Sequence, residues 1–206
     1  MKLKQNIILA SSLSLFALAS CKNPADATTD AEVKEAAPAA ESTGGTTYEF
    51  TDASTIGFVG SKVTGSHEGG FKEFSGHFIV KDGEPQAGEF TIQMDSVWSD
   101  ADKLTEHLKN DDFFDVPNFP ESQFVVTGFE KKSESSYDVS GNLTLHGVTK
   151  NLTFPTTVEV NDELITVSAE FDIDRNEFGV DFEGKKDDLI RKEVIIKFEL
   201  EAKAAS

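Results

Sequence analysis

The chain has 206 residues, enough for one ordinary domain with appendages, and carries 19 Lys+Arg against 37 Asp+Glu. That balance argues against a nucleic-acid partner, which needs a basic surface, and otherwise serves solubility. Seventeen Phe stand beside two Tyr and one Trp, so most of the aromatic bulk lacks a polar handle and requires an apolar surrounding, either a core or an apolar ligand.

Lys2 and Lys4 flank the start of the apolar stretch IILASSLSLFALAS. This is the layout of a signal peptide over residues 1–20, too short and too Ser-rich for a membrane span. The run ends in Leu18-Ala19-Ser20-Cys21, and Cys21 is the only cysteine. Small residues before a lone Cys resemble the lipobox of bacterial lipoproteins. That resemblance implies cleavage before Cys21 and lipidation of its thiol and new amino group. The product would be an exported, membrane-anchored lipoprotein on the periplasmic side or the cell surface. Residues 21–45 supply the lipidated Cys and then an Ala-, Thr- and Glu-rich stretch with Val33 as its one large apolar residue. Such a segment is expected to form a flexible tether, with the folded domain spanning 46–204.

From Thr46 the texture changes to period-two alternation, the strand signal. Strands are expected over Thr47–Thr51, Thr55–Thr64, Phe71–Lys81, Glu84–Asp95, Ser122–Lys131, Tyr137–Leu145, Lys150–Val160, Leu164–Asp174 and Glu193–Glu201. Only Asp100–Lys109 reads as helix, with Leu104 and Leu108 four apart. The glycine-rich Gly65–Gly70 reads as a hairpin turn. Many short strands, each with one apolar face, give an all-β class: an antiparallel sandwich or barrel. A barrel of about eight strands holds either packed side chains or one small ligand, and periodicity does not separate the two.

Catalytic signals are weak. His67, His77, His107 and His146 show no metal-ligand spacing, and no nucleophile elbow or phosphate loop occurs. No catalytic residue, metal or cofactor is expected. The stretch EHLKNDDFFDVPNFPES (106–122) sets Phe113, Phe114 and Phe119 among acids and prolines, an unusual apolar load for a connection.

That stretch also carries a family resemblance. HLKNDDFFDVPNFPESQF (107–124), GNLTLHGVTKNLTFP (141–155) and FDIDRNEFGV (171–180), followed by EVIIKFELEAK (193–203), resemble in order the motifs of YceI-like proteins. The resemblance covers the whole domain. It implies an extended antiparallel lipocalin-like β-barrel with a short helical insert, binding a polyisoprenoid, isoprenoid quinone or related lipid without catalysis.

On that reading the cavity is lined by Phe58, Phe90, Ile92, Phe113, Phe114, Phe124, Val126, Leu143, Leu145, Phe154, Phe171, Ile173 and Phe198. A polar head group would meet Lys62, His107, His146 or Arg175. Phe113 and Phe114 would plug one barrel end or form an entry lip. Lys62 shares the alternation of Phe58 and Gly60, which leaves it either inward or reaching to solvent. Two other readings compete: a solid-core stress-response or interaction protein, and an enzyme using His107 with a nearby acid. An open barrel edge would also be covered by a homodimer.

Overall fold

The computed structural model describes residues 22–42, 44–161 and 163–205. A single helical turn, Pro24–Ala27, precedes β1 (Glu32–Glu35), β2 (Thr46–Phe50), β3 (Thr55–Lys62), β4 (Gly65–Phe71), β5 (Phe74–Lys81) and β6 (Glu84–Gln93). Then follow β7 (Val97–Ser99), α1 (Asp102–Leu108), β8 (Glu121–Lys131), β9 (Ser136–Leu145), β10 (Val148–Val160) and β11 (Leu164–Asp174). A turn at Arg175–Phe178 leads to β12 (Gly184–Lys185) and β13 (Asp188–Ala204).

Eight antiparallel strands close a ring in the order β10-β9-β8-β6-β5-β2-β13-β11 and back to β10. Closure pairs the edges that an open sheet would expose. β13 is long enough to serve two neighbours. Its C-terminal end pairs β2, while Val194–Glu199 pair β3, from which β4 and β7 extend the wall. Two hairpins close on two-residue turns with left-handed backbone, Asp82-Gly83 (φ 54° and 80°) and His146-Gly147 (φ 50° and 75°). Their twist matches that of the flanking strands.

The sequence alternation becomes the two faces of the wall. In β11, Ile165, Val167, Ala169, Phe171 and Ile173 are all buried. Asp172 breaks the pattern, pointing to the outer side yet only 2 % exposed. The cause is the N-terminal segment. β10 and β11 pair only over Thr157–Val160 and Ile165–Ser168, and residues 29–35 fill the gap where the two strands splay. The Ala31 N–H donates to the Asp172 carbonyl (2.9 Å) and the Asp172 N–H to that of Thr29 (3.1 Å). β1 then pairs Lys150–Thr153 of β10. Ala31 joins the main core and Val33 packs against it. Farther along, the Asn142 side-chain amide holds Ala37 from both sides (3.0 and 2.6 Å), and the Ala40 N–H reaches the Val126 carbonyl at 2.9 Å.

Two expectations are therefore corrected. Residues 23–40 are not a free tether: an unsatisfied sheet edge and two small apolar side chains hold them on the barrel, which composition alone does not register. The glycine-rich Gly65–Gly70 is not a turn but most of β4. Glycine is required there by close approach, since a Cβ at Gly69 would lie 2.4 Å from the Phe58 ring. Residues 1–20 and Cys21 lie outside the described residues.

Candidate functional site

The ring interior divides into two storeys. Toward the end bearing the Asp82-Gly83 turn, side chains fill the barrel up to two aromatic pairs that also border the other storey, Phe90 stacked on Phe124 at 5.3 Å and Phe154 on Phe171 at 3.9 Å between ring centroids. Only a void of about 20 Å³ remains there, and Val126 borders it. Toward the α1 end an apolar cavity of about 160 Å³ stays open. That is close to the roughly 150 Å³ apolar cavity that stays dry and admits benzene, and below the roughly 300–1,000 Å³ of most ligand pockets.

Twelve of the thirteen positions expected to line a cavity border this one: Phe58, Phe90, Ile92, Phe113, Phe114, Phe124, Leu143, Leu145, Phe154, Phe171, Ile173 and Phe198. The exception is Val126, which sits in the filled storey. The structure adds Ile56, Met94, Leu108, Leu152, Val180, Ile190, Val194 and Ile196. Ile56, Leu152, Val194 and Ile196 follow the same alternation as the expected residues. Ile190 precedes an irregularity in β13 between Ile190 and Val194, so period-two counting does not reach it.

Glycines opposite aromatic rings shape the walls. Gly141 faces Phe124 so closely that a Cβ there would lie 2.1 Å from the ring. The Phe-rich connection closes the mouth. The Phe113 N–H bonds to the Asn110 carbonyl and the Phe114 N–H to that of Leu108, both at 3.1 Å. Asp115 takes a left-handed conformation (φ 46°), and the Asn118 amide donates to its carboxylate at 2.9 Å. Phe113 is thereby buried with Val97, Leu108 and Val180, and Phe114 packs between this cluster and the main core. Both rings are packed into this end and border the cavity.

The four head-group candidates are not brought together. Lys62 forms an ion pair with Asp188 at 2.5 Å and does not border the cavity. His146 occupies the β9–β10 turn with its ring against Phe119 (centroids 4.7 Å). His107 Nε2 lies 2.7 Å from Asp112 Oδ2, within the reach an acid–base pair needs. Its ring packs on Phe113 and Phe182 (4.9 and 5.2 Å) and is not among the cavity-lining residues.

Arg175 alone of the four borders the cavity, and it is 6 % exposed. Its Nε donates to the Arg191 carbonyl (3.1 Å), Nη2 to Phe182 (2.8 Å) and Nη1 to Val180. Burial lowers its pKa, while Asp174, Asp181 and Glu183 act in the opposite direction. The guanidinium thus ties β11, the segment after it and β13 together. Ser122, the other polar side chain at the cavity, donates to the Thr144 carbonyl at 2.8 Å. Among the described residues, no cluster of three or more His, Cys, Asp or Glu could hold a metal ion.

Residues 49–202 match the family model of the YceI-like domain. A UPF0312 protein of Pseudomonas putida strain W619 is 40% identical over 91 residues, 43% of this chain and 47% of that protein. One from Pseudomonas fluorescens strain SBW25 is 32% identical over 120 residues, 54% of this chain and 62% of that protein. The chain thus spans about half the length of the first of these curated relatives. Among solved structures, BcnA of Burkholderia cenocepacia superposes with a TM-score of 0.67 at 28% identity, covering 72% of this chain and 96% of BcnA. A polyisoprenoid binding domain from Saccharophagus degradans, implicated in plant cell wall breakdown, gives a TM-score of 0.65. At 21% identity, over 79% of this chain and all of that domain, it shares the fold.

Proposed function

The chain belongs to the YceI-like family, and from that premise we propose that it binds a slender apolar chain, such as a polyisoprenoid or isoprenoid quinone, without transforming it. The observation that carries this reading is the cavity: its walls are aliphatic and aromatic, and both bordering polar side chains are engaged by the protein itself. Moving such a chain out of water gives about 0.8 kcal/mol per methylene group. Contact of this kind is non-directional and tolerates variation in length. The open volume of about 160 Å³ holds only a short part of a long chain, so a full-length ligand widens the slot by displacing Phe113 and Phe114 at the mouth. The S. degradans domain, a polyisoprenoid binder by its description, supports the choice of ligand class.

The protein acts outside the cytoplasm, tethered to a membrane through acylated Cys21; the basic, apolar and small-residue order of residues 1–21 supports this. Mass spectrometry of an organic extract of the purified protein tests the ligand, with a stoichiometric prenyl lipid expected. An empty extract together with no uptake of added prenyl lipid refutes it. The mass of the N-terminal peptide reports acylation separately.

A further inference from the structure

We propose that the barrel end bearing the β3–β4 and β12–β13 turns is a membrane-contacting face, whose partner is the phospholipid bilayer holding the anchor. This rests on the acylation of Cys21 proposed above. Val63 and Leu189 are two of only three exposed large hydrophobics among the described residues, at 48% and 45%. They are neighbours, since the Val63 N–H donates to the Leu189 carbonyl at 3.2 Å. Asp188 stiffens the pair's support by accepting from the Thr64 N–H (3.1 Å), the Thr64 hydroxyl (2.8 Å) and Lys62. Exposed Lys185 and Lys186 flank the apolar tip.

The second observation is where the docked N-terminal segment begins. Asn23 Oδ1 accepts from the Ser61 hydroxyl at 3.4 Å, and its Nδ2 donates to Glu193 Oε2 at 3.2 Å. The turn that follows buries Ala25 against the barrel. Ser61 is the last residue but one of β3, and Val63 opens the turn that follows it, two residues on. Cys21 precedes Asn23 by two residues, a reach of about 7 Å at most. The segment is therefore a clamp and not a spacer. It holds Asn23 against Ser61 of β3 and Glu193 of β13, the two strands that carry the exposed apolar pair at their turn ends, so that an acyl group on Cys21 would attach within that reach of this corner. Gly60, Ile190 and Val194 border the cavity on the inner side of the same strands. The mouth then faces the bilayer, and a lipid passes between membrane and slot with little exposure to water.

The test uses the full chain, processed by its host and reconstituted into phosphatidylcholine–phosphatidylglycerol vesicles. Acylation blocks the Cys21 thiol, so Val63→Cys, Leu189→Cys and Glu134→Cys each accept one environment-sensitive fluorophore. Glu134, in the β8–β9 turn at the opposite end, is the control. Expected is a blue-shifted emission, at least twofold brighter, at 63 and 189, quenched by nitroxide-bearing lipids, with 134 unchanged. Water-like emission at 63 and 189 in a chain whose mass shows the acyl groups overturns the proposed face and leaves the tether intact. A blue shift that nitroxide lipids do not quench means a second copy covers the corner, and also overturns it. A mass without acyl groups refutes the tether and this orientation with it.

Discussion

Thr28 donates its hydroxyl to the Asp172 carboxylate at 2.6 Å, joining the N-terminal segment to an outward-pointing acid that this same segment buries. With Ala31 and Thr29 on its backbone, Asp172 is the point at which the seam between β10 and β11 is sealed.

Burial raises the pKa of the Asp172 carboxyl, Asp30 raises it further, and the Thr28 hydroxyl opposes the shift. A carboxyl with a raised folded pKa is best tolerated when protonated. Its favourable contribution is full below the unfolded value, near 3.9, and is lost as pH rises through the folded value. Asp172→Asn keeps an acceptor for Thr28 and removes the charge. It is expected to hold or raise stability at pH 7 and to flatten the dependence of stability on pH. Urea melts of both proteins from pH 4 to pH 7 check this, and a variant clearly less stable at pH 7 refutes it.

Gly141→Ala places a methyl against the Phe124 ring. Overpacking of this kind costs about 1–3 kcal/mol. Adding Phe124→Leu removes the obstructing ring, so the pair is expected to be strongly non-additive in a double-mutant cycle. Simple additivity shows that the wall absorbs the methyl elsewhere.

Val194 borders the cavity and is half-buried on β13. Val194→Trp is expected to fill the slot and weaken prenyl-lipid uptake at least tenfold, about 1.4 kcal/mol, while the far-UV circular dichroism stays that of the parent. Unchanged uptake moves the ligand to another surface.

Arg175→Lys offers one compact donor group in place of a fork bonded to three carbonyls. Hydrogen bonds to charged groups are each worth about 1.5–3 kcal/mol, so losing two costs roughly 3–6 kcal/mol. Amide hydrogen exchange of Val180 and Phe182 is expected to accelerate. A loss confined to ligand binding, with exchange unchanged, would assign Arg175 to the ligand and not to the scaffold.

The alternation of Ile165 to Ile173 and of Val194 to Leu200, with turn chemistry at Asp82-Gly83, determined by itself that the chain is an all-β sandwich or barrel with a Phe-rich interior, and the ordered motifs resembling YceI-like proteins narrowed this to the barrel. Side-chain period is a local property, so the sequence carries it directly. Tertiary structure decided three further matters. Whether the interior is hollow depends on where rings meet: Phe154 stacks on Phe171 at the boundary between a filled storey and an open one. The fate of Arg175 depends on three carbonyls brought from up to sixteen residues away, which turns a head-group candidate into a structural clasp. The apparent tether, whose composition signals disorder, gains β10 as a pairing edge only once β10 and β11 have splayed apart. That edge exists in the folded barrel and nowhere in the local sequence.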